Sequence, residues 1–130
     1  MRQPRLVDSI DGRPVPTDRG ERILSETTAA EVRQMLTGVL AEGGTASEVD
    51  IPGYTAAGKT GTAQIAVDGG YSETRYVASF MGMAPAEDPA IVVSVMVNEP
   101  KYGHSGGEVA APAFGELASF ALPYLGIPTG

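Results

Sequence analysis

The clearest hydrophobic pattern runs through Val32, Met35, Leu36, Val39 and Leu40, which fall at i, i+3, i+4, i+7 and i+8. That spacing puts them on one stripe of a helix. Ser25 suits its N-cap, Glu26 its first turn and Gly43-Gly44 its end, so the predicted helix runs from Glu26 to Glu42. After a connection from Thr45 to Gly53 the period changes. From Tyr54 to Val67, Ala63, Ile65 and Val67 alternate with Thr62, Gln64 and Ala66, the two-residue period of an extended strand. Asp68-Gly69-Gly70 predicts a turn, and Tyr76 to Met83 a second strand. A turn through Ala84-Pro85-Ala86-Glu87-Asp88-Pro89 leads to Ile91–Val97, a β-branched run expected to be a third strand buried on both faces or nearly so.

At the two ends the pattern is shorter. Leu6 to Ile10 predicts a short strand stopped by the turn dipeptide Asp11-Gly12, and Arg13 to Arg22 a polar loop. Glu108 to Leu122 predicts a final helix with apolar Val109, Phe114, Leu117 and Ala118, followed by Leu125; Pro112 is tolerable only near its start. No segment repeats. A helix, three successive strands with short turns, and a helix give an α+β class: an antiparallel sheet with helices on at least one face.

Composition bounds the function. At 130 residues, 42% of them hydrophobic, the chain suffices for one cored domain and not for two. A net charge of −7 makes a poor nucleic-acid binder, since phosphate contacts dominate that affinity. With no cysteine and one histidine, His104, the chain has no thiol chemistry and no cysteine or multi-histidine metal site, so neither metal nor cofactor is expected. No apolar run approaches a membrane span, and Met1-Arg2-Gln3-Pro4-Arg5 does not lead into a signal sequence.

One motif has two readings. Gly53 to Thr60 matches the phosphate-loop pattern G-x-x-x-x-G-K-[ST] letter for letter. A phosphate loop needs a buried strand before it and a helix N-terminus after it, because the helix holds the phosphates. Ser47 to Pro52 is no such strand, and Gly61 to Val67 followed by Gly69-Gly70 leaves no room for the helix. The other reading takes Lys59-Thr60-Gly61-Thr62 on a strand, as the K-T-G element of the serine β-lactamase and penicillin-binding set.

The surroundings favour the second. Ser25 to Gly44, Pro52-Gly53-Tyr54, Ala57 to Gln64, Ala78-Ser79-Phe80, Ala84-Pro85 and Val109 to Phe114 resemble the class B penicillin-binding proteins, the division and elongation transpeptidases, over nearly the whole chain. The resemblance implies the C-terminal part, residues 1–130, of a transpeptidase domain with the penicillin-binding and β-lactamase-like fold. Its substrates would be peptidoglycan stem peptides ending in D-Ala-D-Ala, with β-lactams as acylating inhibitors. It would work on the extracytoplasmic face of the bacterial membrane, beside divisome or elongasome proteins.

Residue by residue, the resemblance gives Lys59 and Thr62 catalytic roles and Thr60, Gly61 and Thr62 substrate contacts. The chemistry suits these types. A lysine charge about 4 Å from a carboxylate, at an effective dielectric near 20, is worth on the order of 4 kcal/mol before desolvation. Thr60 and Thr62 share one side of a strand, so two hydroxyls can meet one carboxylate. Gly61 permits close approach of backbone or substrate. The amide of Thr62 would be one of two oxyanion donors, each worth roughly 3–4 kcal/mol in the transition state.

The nucleophile motif is absent. No serine has a lysine three residues later, and none has an asparagine two later, so S-x-x-K and its partner triplet are both missing. In the resembled family both lie upstream, which implies a missing N-terminal part and an isolated chain that forms no acyl-enzyme. An inert remnant or interaction module is the alternative. Smaller signals carry less. His104 beside Ser105 reads as a solvated loop histidine, Glu87-Asp88 as a solvated turn, and Gly106-Gly107 either as a plain loop or as close backbone approach. Tyr71, Tyr76 and Tyr102 read as core or loop packing rather than a groove for substrate.

Overall fold

The computed structural model describes residues 6–16 and 20–130. Met1 to Arg5, and Thr17 to Arg19 within the expected polar loop, lie outside the described residues. Ser9–Ile10 (β1) and Arg13–Pro14 (β2) form a small antiparallel ladder, Ser9 opposite Pro14. Asp11 (φ 49°) and Gly12 (φ 75°) both adopt the left-handed conformation that closes a two-residue hairpin. The expected strand from Leu6 is therefore cut to two residues, with Leu6 and Val7 exposed, and the expected loop begins with a strand.

Glu26–Thr37 forms the first helix (α1), capped by Ser25, whose hydroxyl accepts from the Thr28 N–H at 3.0 Å. It stops five residues short of the expected Glu42. Gly38 N–H turns back to Met35 and Leu36 carbonyls, and Val39 and Leu40 then bond three residues back, a tightened turn that takes the chain off the helix axis. Val39 and Leu40 reach the core through this turn, whereas Val32 (40%) and Met35 (68%) stay exposed.

The sheet is an antiparallel meander of Ala57–Val67 (β3), Gly70–Ala84 (β4) and Ile91–Asn98 (β5), in the order β3-β4-β5. Asp68 and Gly69 (φ 85°) make the hairpin turn between the first two. Pairing sets the faces. Gly58, Thr60 and Thr62 stand opposite Gly82, Phe80 and Ala78, and these in turn opposite Val93, Val95 and Val97. Lys59, Met81 and Ser94 line up on the other face. β5 is not buried on both sides as its composition suggests. It alternates: Val93 and Val95 pack on the core, while Val92 (66%) and Met96 (71%) are exposed.

The last helix is in two pieces, Gly106–Val109 (α2) and Ala111–Tyr124 (α3), because Pro112 has no N–H to bond the Glu108 carbonyl and so can only open a helix. The core lies between α3 and one sheet face. Phe80, Phe114 and Leu122 are its largest fully buried side chains, and the 38–56 connection contributes Ala46, Val49 and Ile51. Phe80 and Phe114 meet with ring centroids 5.1 Å apart at 44°. They fit because Gly58 and Gly82 lie beneath them; a Cβ at Gly82 would come 2.5 Å from Phe114 and 2.7 Å from Phe80. Phe114→Ala is expected to lower unfolding stability by about 3–5 kcal/mol, against under ~1.5 kcal/mol for half-exposed Leu117→Ala, by urea denaturation.

Candidate active-site strand

β3 is an edge of the sheet, so its backbone groups facing away from β4 have no strand partner among the described residues. Lys59 to Thr62 occupy this edge, opposite Met81 to Ala78. Alternation divides the four residues. Lys59 lies on the open face with Met81, and Thr60 and Thr62 on the helix-bearing face, with the backbone edge between them. Lys59 bends round that edge. Its Nζ donates to the Thr60 carbonyl at 2.8 Å and to Thr60 Oγ1 at 3.3 Å. The side chain is exposed and, among the described residues, makes no ion pair, so its charge is open to an incoming anion.

The two hydroxyls lie on one side of the strand but are held separately. Thr60 Oγ1 is 3.0 Å from Thr45 Oγ1, and Thr62 Oγ1 accepts the Gly106 N–H at 3.2 Å. These contacts set direction. A hydroxyl that accepts from a backbone N–H keeps its own proton, so Thr62 can still donate. Gly61 meets a neighbour within the sheet: a Cβ there would sit 2.5 Å from Ser79 Oγ on β4. Gly106 packs against the backbone of Gly61 and Ser79, and Gly107 against the Thr45 carbonyl. Of the two readings of Gly106-Gly107, close backbone approach is the one realised.

Sequence reasoning missed Thr45, Ser79 and Ser105. Thr45 and Ser79 sit against the edge tetrapeptide, and Ser105 caps α2 by accepting from the Glu108 N–H at 3.2 Å. The sequence signals near them were the family-like Ala78-Ser79-Phe80 segment and the glycine pair that lets α2 approach, and neither gave these residues a role. His104 is exposed but does not stand alone; its ring lies 5.1 Å from that of Tyr76. Glu87 is more than a solvated turn. Its carboxylate accepts from the Thr55 hydroxyl and its carbonyl from Arg33, which ties α1 to the approach to β3. Tyr71 and Tyr102 are exposed rather than packed.

The phosphate-loop reading fails on this geometry. Gly53 to Thr60 run from a turn into β3, and no helix follows Thr60 to offer its N-terminus to a phosphate. The chain continues instead into the hairpin of an antiparallel sheet. Residues 1–119 match the family described as the penicillin-binding protein transpeptidase domain. The chain belongs to that family. It is 41% identical over 110 residues to the probable peptidoglycan D,D-transpeptidase PenA of Neisseria gonorrhoeae, covering 84% of this chain and 19% of that protein. It is 44% identical over 108 residues to stage V sporulation protein D of Bacillus subtilis, covering 82% and 17%. The chain thus spans under a fifth of the length of either relative. Among solved structures, the apo transpeptidase domain of Burkholderia pseudomallei penicillin-binding protein 3 superimposes with a TM-score of 0.79 at 45% identity, over 94% of this chain and 36% of that one. Penicillin-binding protein 3 of Mycobacterium tuberculosis, complexed with ampicillin, gives 0.78 at 35% identity, over 90% and 28%. Within this transpeptidase family the α+β fold read from the pattern of the sequence holds.

One ion pair anchors the far end of the sheet. Arg75 Nε and Nη2 donate to the two Glu99 carboxylate oxygens at 2.8 Å each, joining β4 to the residue after β5. The Arg75 hydrogen bond, together with its charge, lowers the Glu99 pKa below its ordinary value, against the opposing effect of desolvation. A carboxylate with a depressed folded-state pKa adds stability above its unfolded pKa, about 4.3, and loses it as pH falls through the folded value. Following the Glu99 carboxyl carbon by NMR, Arg75→Met is expected to move its titration upward. An unchanged midpoint would mean that the pair does not persist in solution.

Proposed function

We propose that residues 1–130 are the C-terminal part of a peptidoglycan D,D-transpeptidase domain, and that β3 supplies the carboxylate-binding and oxyanion side of its site. The observation that carries this reading is the edge position of Lys59-Thr60-Gly61-Thr62, with Lys59 in no ion pair among the described residues and Thr62 Oγ1 accepting from Gly106 with its own proton still available. The substrate is a stem peptide ending in D-Ala-D-Ala. Its terminal carboxylate lies between the Lys59 ammonium and the hydroxyls of Thr60 and Thr62. The scissile carbonyl oxygen faces the Thr62 amide, where charge develops as a serine attacks.

That serine belongs to an upstream part of the parent domain. Its Oγ bonds to the carbonyl carbon, the C–N bond breaks, and the terminal D-Ala leaves with the proton as a free amine. An amine from a second stem peptide then displaces the serine. A β-lactam follows the first step only, its ring C–N bond opening to leave a stable acyl-serine. The open face fits a partner of this kind. Met81 (57% exposed), Val92 and Met96 lie on the same side as Lys59, an apolar surface next to the reacting edge. The parent protein works on the extracytoplasmic face of the bacterial membrane, with divisome or elongasome proteins as neighbours.

The test uses a fluorescent penicillin and a denaturing gel. Alone, the chain is expected to form no covalent band. Co-expressed with the upstream part of the Burkholderia pseudomallei relative's domain, it is expected to enable labelling of that upstream polypeptide. Lys59→Ala should slow the labelling by roughly a hundredfold or more. Stoichiometric labelling of this chain, or labelling of the upstream part that is indifferent to Lys59, would contradict the assignment.

A further inference from the structure

On the helix-bearing face of the sheet, three cross-strand pairs stand in a row: Thr60 opposite Phe80, Thr62 opposite Ala78, and Gln64 opposite Tyr76. Each has a different cover. Phe114 of α3 lies on Phe80. Next along, where Ala78 is small and fully buried, Gly106 of α2 packs on the backbone of Gly61 and Ser79. Tyr76 ends the row and meets the loop before α2, its ring 5.1 Å from that of His104 and tilted by 40°. The short helix α2 is thus bracketed by two aromatic pairs, and only the first belongs to the core.

Tyr76 is also where the 99–105 loop is fastened to β4. Its carbonyl accepts the Glu99 N–H at 2.9 Å, beside the Arg75 side chain that holds the Glu99 carboxylate. Glu99 is left-handed (φ 49°), so these contacts hold a turn that non-glycine residues rarely make. The Tyr76 hydroxyl donates to the Glu73 carbonyl at 2.7 Å, which fixes the ring against its own strand. At the far end of the loop Gly103 (φ 67°) folds onto α2, where a Cβ would lie 2.6 Å from the Glu108 carboxyl carbon. His104 stands between these fastenings, two residues before Gly106. The bond that Gly106 N–H makes to Thr62 Oγ1 is 3.2 Å long, already at the upper end of the normal range, so a rise of the loop by about half an ångström would break it.

We propose that Tyr76 and His104 are positioning residues for Thr62: their ring contact holds the loop at the height from which the Gly106 N–H reaches the Thr62 hydroxyl. They act through Gly106 and not on substrate. The catalytic consequence rests on the transpeptidase reading of Thr62, whereas the contact itself does not. The contact needs a flat ring at position 104 and not an imidazole, so phenylalanine replaces His104 and alanine does not.

Amide hydrogen exchange, followed by NMR in the 130-residue chain, tests the contact. In His104→Ala the Gly106 amide is expected to exchange roughly tenfold faster, with the amides of the β4–β5 ladder unchanged. His104→Phe should restore the protection, and Tyr71→Ala, at an exposed tyrosine of the same hairpin, should not disturb it. In the chain co-expressed with the upstream half-domain, His104→Ala should slow fluorescent-penicillin labelling about fivefold, and His104→Phe should recover it. Unchanged Gly106 exchange in His104→Ala, no recovery in His104→Phe, or a loosened Gly106 with labelling unaffected would each overturn the proposal. A wild-type pair that fails to label contradicts the transpeptidase reading instead, and the exchange rates then decide the positioning role alone.

Discussion

The Phe80 and Phe114 rings meet between β4 and α3 because Gly58 and Gly82 leave the sheet bare beneath them. Much else depends on that contact. It seats α3 on the sheet, and α3 follows directly on α2, whose Gly106 lies against the backbone of Gly61 and Ser79. Thr60, opposite Phe80 in register, is therefore held at a fixed height above the core. A side chain added at either glycine would lift the rings, and the displacement would pass through α2 to the edge strand. Close-packed interiors transmit such strain rather than absorbing it.

In the proposed role, the edge position of β3 is what would turn this packing into a site. An interior strand would spend both sides of its backbone on neighbours. At an edge, one side remains for a ligand, and alternation places unlike groups around it: an ammonium on one face, two hydroxyls on the other, amides between. The hydroxyls are held in place by Thr45 and Gly106 before any substrate arrives. Preorganisation of this kind is worth most where charge develops late, as at an oxyanion. The same architecture accounts for the open face. A sheet with helices on one side only leaves Met81, Val92 and Met96 to be covered by something else.

The strand that carries Lys59 to Thr62 was legible in the sequence, since these residues sit in an alternating run whose flanks hold turn residues and nothing helical; what singled them out was the K-T-G element and the family resemblance of its flanks. The Asp11-Gly12 and Asp68-Gly69 turns and the Ser25 cap were equally plain, because each residue there has a specific local conformation to adopt. What failed were inferences about burial. The α1 stripe has helical spacing, yet Val32 and Met35 face solvent, because periodicity reports a face and not what covers it. The run in β5 looked buried on both sides for the same reason. The connection from residue 38 to 56 gave no periodic signal, though Ala46, Val49 and Ile51 are core, since irregular backbone places its side chains one at a time. The supporting contacts of Thr45 and Gly106 arise between segments distant in sequence, and no local pattern encodes them.

The role proposed for the β3 edge requires that it bind a peptide C-terminal carboxylate without help from a nucleophile. The direct measurement is a titration of the isotope-labelled chain with an N-acyl-D-Ala-D-Ala peptide, followed by amide chemical shifts. Weak binding, with a Kd of about a millimolar or above, is predicted, with the shifts concentrated on Lys59 to Thr62 and Gly106, and lost both in Lys59→Ala and with the C-terminally amidated peptide. Equal binding of the amidated peptide, or shifts confined to other parts of the chain, would contradict it.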